Sequence, residues 1–370
     1  MSTIKTSPPA AVLTARHHHG LAFLLAALSA VGPFTIDAYL PSFREIGLHF
    51  RASPVIVQQT LTAYMLPFAA MTLWQGALSD AFGRRRITLV MLATFLFASL
   101  GCMCAGSIGV LIGFRAVQGL SAGAGMIIGR AIVRDLLDGA EARRLMSRIA
   151  AVFAIAPAVG PILGGWLQVW FGWRSVFAFL VVFAGGLWVA CWKALPETLP
   201  PDRRHPLHAG SLLRGYWQAL SSARFVALVL ALTLSFSAVF VYIVSAPAFL
   251  FNLLHRKETE FYWLFGPIAI GMLMGTWLAG RVAGHWSNVR TLALAYGIMG
   301  LAAGNAVVTA VIAPMVWGTA RSLSGGMLAL FVASGAAFVL YVWWQRVIPQ
   351  APAAHPGICQ SKAVLAATEN

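Results

Sequence analysis

The sequence predicts an all-α polytopic membrane protein, a bundle of six plus about four transmembrane helices. Three observations predict it. Of 370 residues, 59% are hydrophobic and only 10% charged, whereas a soluble domain carries about 25% charged residues. Apolar runs long enough to cross hydrocarbon recur along the chain. The basic residues fall in short clusters between those runs rather than on one face. That placement decides what the net charge of +15 means. It fits a positive-inside distribution over loops and not a nucleic-acid surface. The expected partner is therefore a lipid bilayer, with no nucleic acid.

The elements follow in order. Residues 1–19 form a polar N-terminal segment. Lys5 and Arg16 precede the first apolar run, as in a signal peptide. That run continues for about 20 residues without an obvious cleavage site, which favours a retained helix. His17, His18 and His19 read as the hydrated flank of this helix rather than a metal site. Apolar runs at 20–41, 55–77, 87–106, 109–131, 149–170 and 174–195 make a first half of six helices, residues 20–195. Runs at 225–249, 261–283, 290–313 and 322–344 make a second half, residues 225–345. Residues 196–224 link the halves, stiffened by Pro196, Pro200, Pro201 and Pro206 and hydrated by Asp202, Arg203 and Arg204. Residues 346–370 are a polar tail.

Orientation follows from lysine and arginine. With the N-terminus in the cytoplasm, the inner segments hold 19 of the 26 basic residues and the outer segments six. The one remaining, Arg115, lies within a helix. The bias supports cytoplasmic N- and C-termini. Pro67, Ala69, Leu73 and Leu78 recur 200 residues later as Pro267, Ala269, Leu273 and Leu278. Both stretches are the second helix of their half, as a parallel repeat requires. The cysteines, Cys102, Cys104, Cys191 and Cys359, show no metal or disulfide spacing and read as small apolar fillers. No nucleophile–base set, metal cluster or P-loop is found. The expectation is no enzyme and no cofactor, and without a P-loop ATP is not the expected energy source.

Three stretches carry the chemistry. Residues 76–86 form a Gly/Asp/Gly frame followed by Arg84, Arg85 and Arg86, expected as a tight cytoplasmic turn between two membrane helices. Gly76 and Gly83 let the helix ends approach, and the arginines hold the turn inside. Asp37 is the one acidic residue of eleven within an apolar run. An ionisable group there costs several kcal/mol if left charged in hydrocarbon, a cost relieved by a partner, by water or by a proton. Asp37 is thus a candidate proton carrier facing a central cavity; the alternative is a hydrated residue at the outer interface. Arg115 lies about 9 Å deep in the fourth helix and Asp37 about 6 Å deep from the same side, at 1.5 Å per residue. The two are expected to interact directly or through water, so that proton binding is tied to helix movement. A purely structural charge pair is the alternative. The third stretch, residues 156–165, packs Pro157, Gly160, Pro161, Gly164 and Gly165 into the fifth helix. It loosens the backbone ladder and permits close helix contact.

These stretches resemble known motifs. Gly76 to Arg86 resembles the major facilitator superfamily signature G-x-L-x-D-x-x-G-R-[RK]. Arg115-Ala116-Val117-Gln118-Gly119 resembles that superfamily's fourth-helix motif R-x-x-Q-G. Ala156 to Gly165 resembles the antiporter motif G-x-x-x-G-P-x-x-G-G, with Ala156 in place of the first glycine. Asp37 to Pro41, Gly129 to Asp135 and Leu195 to Leu199 resemble the Bcr/CflA drug-resistance branch. The resemblance implies a major facilitator type bundle. It implies an inner-membrane exporter that exchanges an inward proton for an outward amphipathic drug by alternating access. It also implies a proton-coupling role for Asp37 and Arg115. Gating would fall to Gly76, Asp80, Gly83, Arg84, Arg85, Arg86 and Arg134.

Aromatic and polar side chains expected to line a drug cavity are Tyr39, Tyr64, Gln118, Phe240 and Tyr242. Trp166, Trp170, Trp173 and Trp263 are expected in interfacial belts. The resemblance implies twelve helices where ten are counted. The run at 290–313 begins like the family's ninth helix and ends like its eleventh. An internal deletion near residue 304 is therefore expected. A nutrient symporter and a non-transporting remnant of the same fold remain as alternatives.

Overall fold

The structure, a computed structural model, describes residues 15–281 apart from 205, 249, 252–255, 267–269, 272, 273 and 276–280. All regular structure among them is helical. The elements are α1 (Ala15–Asp37), a 3₁₀ turn (Leu40–Ser42), α2 (Phe43–Phe50), α3 (Pro54–Phe82), α4 (Arg84–Met103), α5 (Ile108–Ala122) and α6 (Ala124–Leu136). They continue with α7 (Gly139–Phe171), α8 (Arg174–Ala194), a 3₁₀ turn (Pro201–Arg203), α9 (Ala209–Leu220), α10 (Ala223–Ala248) and a 3₁₀ turn (Glu258–Phe261). The described parts of Met1–His208 and Ile243–Ala283 form one compact unit, and Ala209–Tyr242 belongs to a second.

Local chemistry sets the helix ends. Ser53 and Ser107 are extended N-caps whose hydroxyls accept from the Ile56 and Val110 N–H groups at 3.4 and 3.3 Å, relieving the unpaired first turn. Pro54 follows at the first helical position, where its missing N–H costs nothing. Within the first unit α1 packs on α7 and α6, α3 on α5, and α4 on α5 and α8. Leu25, Leu28, Phe95, Leu111, Ile128, Ile132, Phe177 and Leu180 fill the seams between them. Lipid tails give apolar helices no reason to leave them, so close backbone approach has to supply the contact. A Cβ on Gly119 of α5 would stand 2.0 Å from the Tyr64 carbonyl oxygen of α3.

Several expected elements are redrawn. The turn expected over 76–86 shrinks to one residue: α3 runs through Phe82, α4 starts at Arg84, and only Gly83 lies outside a helix, at φ +98°. Nothing between Gly76 and Phe82 breaks a helix, and a non-glycine residue rarely adopts that φ. The fourth run divides at Gly123 into α5 and α6. The first run stops at Asp37 and turns into the short α2. The fifth begins at Gly139, ten residues early, because residues 140–149 are good helix formers. The linker contains α9. Trp173, expected at an interface, is buried, while Trp166 and Trp170 are exposed.

By length and hydropathy, four segments among the described residues are each long and apolar enough to cross a membrane: Gly20–Phe50, Arg84–Met103, Ile108–Leu136 and Arg174–Ala194; a fifth candidate is the bent pair Ala209–Leu220 and Phe225–Leu234, at the start of α10. The runs expected at 290–313 and 322–344, the deletion near residue 304, the tail 346–370 and residues 1–14 lie outside the described residues, as does part of the run 261–283.

Candidate functional site

One site forms where α1, α3, α5 and α7 meet. Asp37 is the last residue of α1 and is 3% exposed. Its carboxyl makes no ion pair or hydrogen bond among the described residues. The glycines of α7 press directly on it. A Cβ on Gly160 would stand 2.6 Å from the Asp37 Cβ, and one on Gly164 would stand 2.0 Å from the Ala38 carbonyl oxygen. One on Gly165 would meet the Glu258 carbonyl oxygen at 2.2 Å. Pro161 is buried beside them. Pro157 continues the helix, and its side chain lies outside the described atoms. Small residues at 160 and 164 thus let α7 close on the end of α1 that carries the carboxyl, and Gly165 lets it close on the turn at Glu258.

Arg115, on α5, is 0% exposed. One of its terminal nitrogens, Nη1, donates to Gln118 Oε1 at 2.7 Å and to the Thr35 carbonyl oxygen at 3.4 Å. Its guanidinium carbon lies 4.5 Å from the centre of the Tyr39 ring and 4.4 Å from that of Tyr64. Each such cation–π contact contributes about 2 kcal/mol when desolvated. Its Nε and Nη2 have no hydrogen-bond partner. The socket is itself tied down. The Tyr39 and Thr60 hydroxyls are 2.7 Å apart. Tyr64 donates to the Gly32 carbonyl at 3.3 Å, and Gln118 Nε2 donates to Ser99 Oγ at 2.8 Å.

Two expectations change here. Asp37 and Arg115 are neighbours through Thr35 and do not form an ion pair, because two tyrosine rings and Gln118 hold the guanidinium where it is. Tyr39, Tyr64 and Gln118, expected on a drug cavity, are fully buried and wall the arginine's socket instead. Phe240, on α10, is half-buried in the second unit, and the Tyr242 side chain lies outside the described atoms.

The other site gathers the ends of α3, α4 and α6 with the segment after α8. Arg84 is nearly buried. Its Nη1 donates to Ser79 Oγ at 2.5 Å and pairs with Asp80, and its Nε donates to Asp135 Oδ2 at 3.1 Å. Its backbone N–H, the first of α4, donates to Glu197 Oε1 at 2.8 Å. An anion at that end suits both the unpaired N–H groups and the helix dipole. A Cβ on Gly83 would stand 2.5 Å from Glu197 Oε2, so glycine is needed for space as well as for φ. Thr198 Oγ1 donates to Asp135 Oδ2 at 2.9 Å, and Glu197 faces Arg204 at 3.9 Å.

Of the residues expected here, Asp80, Gly83 and Arg84 come together. Arg85 donates to the Trp192 carbonyl at 2.6 Å. Gly76 sits one helical turn back with a free Cβ position, 3.8 Å from Ile127. Arg86 and Arg134 are exposed and outside the cluster. Sequence reading passed over Ser79, Asp135, Glu197 and Thr198 as site residues. The signal was charge complementarity: Asp135 and Glu197 end two hydrophobic runs on the side where the arginine triplet lies.

The family model of the Major Facilitator Superfamily matches residues 22–358. An uncharacterized MFS-type transporter of Bacillus subtilis (strain 168), YdgK, is 31% identical over 86% of this chain and 77% of its own. A bicyclomycin resistance protein homolog of Haemophilus influenzae is 28% identical over 79% of this chain and 74% of its own. A solved structure of a bacterial homolog to the human lysosomal transporter Spinster covers 89% of this chain and 75% of its own, with a TM-score of 0.60 and 17% identity, a likeness of fold alone. The chain is a multi-pass membrane protein that belongs to the Major Facilitator Superfamily, among relatives of the Bcr/CflA drug-resistance type.

Proposed function

We propose that this chain is a proton-coupled exporter of amphipathic drugs, working by alternating access in the bacterial inner membrane with both termini in the cytoplasm. One observation carries the reading: a buried carboxyl, Asp37, and a buried guanidinium, Arg115, stand in one helix junction, each incompletely partnered. No ion pair holds Asp37 ionised, and an unpaired buried carboxylate is costly, so it keeps its proton until water reaches it through an opening. Its ionised form offers the acceptors that Arg115 Nε and Nη2 lack. Leaving such donors unpaired costs about 1–3 kcal/mol each. A helix shift that joined the two would therefore be favoured when the proton leaves and lost when it returns. A bias of that size moves a two-state equilibrium substantially.

The glycines of α7 give α1 a smooth track for such a shift. The Arg84 cluster is the element that a swing of the helix ends must open. Phe240 and Tyr242 stay candidate drug contacts. Export also fits the Haemophilus influenzae relative, a bicyclomycin resistance protein homolog.

The test uses purified protein in liposomes with an imposed pH gradient and a fluorescent cationic amphipath. Dye should move against the proton flow. Asp37→Asn should abolish gradient-driven movement while the extracted amount of protein is unchanged. Full pH-dependent transport by that variant overturns the assignment, and dye moving with the protons makes the chain a symporter.

A further inference from the structure

We propose that α9 is an interfacial helix, lying flat on the bilayer with its apolar stripe in the headgroup boundary of an anionic leaflet. After Arg224, α10 continues to Ala248 without a charged residue, about 36 Å at 1.5 Å per residue, enough to span about 30 Å of hydrocarbon. The axis of Ala209–Leu220 is bent 85° from that of Phe225–Leu234. A helix at right angles to a membrane-crossing helix, joined to its end by two residues, lies in the membrane plane.

The sequence of α9 suits that place. At 3.6 residues per turn, Leu212, Leu213, Tyr216, Trp217 and Leu220 share one side, and Ser211, Arg214 and Gln218 take the other. No residue of α9 is buried. Leu213 is 58% exposed, Trp217 72% and Leu220 58%. Three large apolar side chains in one open row, one of them a tryptophan, match the headgroup boundary, where an aromatic ring meets both chain and water. Charge selects the leaflet. Between Pro196 and Arg224 the chain carries four arginines against Glu197 and Asp202, and Glu197 is already engaged by Arg84 and Arg204. Basic residues at a surface favour anionic lipid. The segment read from sequence as a hydrated linker is in its second half a membrane-surface anchor.

The test places nitroxide labels on the full chain in vesicles, with Cys102, Cys104, Cys191 and Cys359 replaced by alanine. Leu213→Cys and Trp217→Cys should be reached by lipid-dissolved oxygen and shielded from a water-soluble nickel chelate, and Gln218→Cys should show the reverse. The contrast should widen when phosphatidylglycerol replaces part of the phosphatidylcholine. Nickel access at 213 and 217 overturns the proposal. Shielding from both reagents also overturns it, since protein then covers the face. A contrast blind to lipid charge removes the anionic preference. Phe97→Cys, on an exposed position of α4, reads membrane insertion itself and separates failure of that reading from failure of this one. A measurement without labels supports or overturns the same point. Brominated phosphatidylglycerol should quench the parent chain more than Trp217→Phe, and equal quenching counts against insertion.

Discussion

Two buried arginines sit in this chain in opposite conditions. Arg84 is held by a hydroxyl and two carboxylates, and a third carboxylate takes its backbone N–H. Arg115 has one amide oxygen, one distant carbonyl and two aromatic faces, and two of its nitrogens have no partner. Both are expensive to bury. The first is compensated in place, so it stabilises the arrangement seen. The second is compensated only in part, so it favours an arrangement not yet reached. The difference separates a latch from a trigger.

Replacing each arginine by a residue of similar volume without charge should separate the two most strongly. Arg115→Met should abolish transport driven by a pH gradient. It should leave the melting temperature in detergent unchanged or raised, since a buried charge replaced by apolar volume is often neutral or stabilising. A fall in melting temperature as large as that of the matching Arg84 variant would show Arg115 to be as fully compensated as Arg84. The coupling argument would then fail.

The next effect comes from the glycines that let α7 reach Asp37. Gly164→Ala puts a Cβ 2.0 Å from the Ala38 carbonyl oxygen. Both sides are backbone, so one helix has to move, at a cost of about 3 kcal/mol. Gly76→Ala is the control. Its Cβ meets only Ile127 at 3.8 Å, and alanine is the better helix former by about 1 kcal/mol. Thermal unfolding of the two variants should differ in sign.

Both sites were partly legible before any fold was known, for a physical reason. A charge inside an apolar run and a cluster of glycines are costly, so they stand out against a background that any apolar residue can fill. Asp37, Arg115 and the stretch 156–165 were found that way. What could not be read was which partner each group chose. Arg115 reaches Thr35 and Gln118 and lies between Tyr39 and Tyr64. Spacing along α5 predicts that Gln118 shares its face, but no periodicity says that rings from the turn after α1 and from α3 close over it. The Arg84 cluster hid its partners for the same reason: Asp135 and Glu197 are 51 and 113 residues away. The linker was misread because its prolines and charges precede α9, whose amphipathic period begins only at Ala209.

Arg84→Met is expected to cost less than Gly164→Ala. It strands Asp80 and Asp135, and breaking a fully buried pair costs about 3–5 kcal/mol. Here the side chains of Asp80 and Asp135 are 43% and 22% exposed, so water takes up part of the loss and about 2 kcal/mol remains. Pulse proteolysis in detergent measures it. Asp135→Asn should recover part of that loss in the Arg84→Met background and none in the parent chain. Recovery in neither would mean the pair contributes nothing to the latch.

The smallest effect tests the walls of the Arg115 socket. Thr60 Oγ1 donates to the Val57 carbonyl oxygen at 2.6 Å. Its single proton goes there, so in the 2.7 Å contact with Tyr39 the tyrosine is the donor. Removing the donor and removing the acceptor are then unequal. Tyr39→Phe leaves Thr60 with an unused lone pair and keeps a ring over Arg115, so it should cost about 0.5–1 kcal/mol and spare transport. Thr60→Val strands a buried hydroxyl that has to give its proton to nothing, so it should cost about 1–3 kcal/mol. The double variant should be no worse than Thr60→Val alone, because no stranded donor survives in it. Equal losses from the two single variants would reverse the assigned donor, and loss of transport in Tyr39→Phe would give the hydroxyl, not the ring, the hold on Arg115.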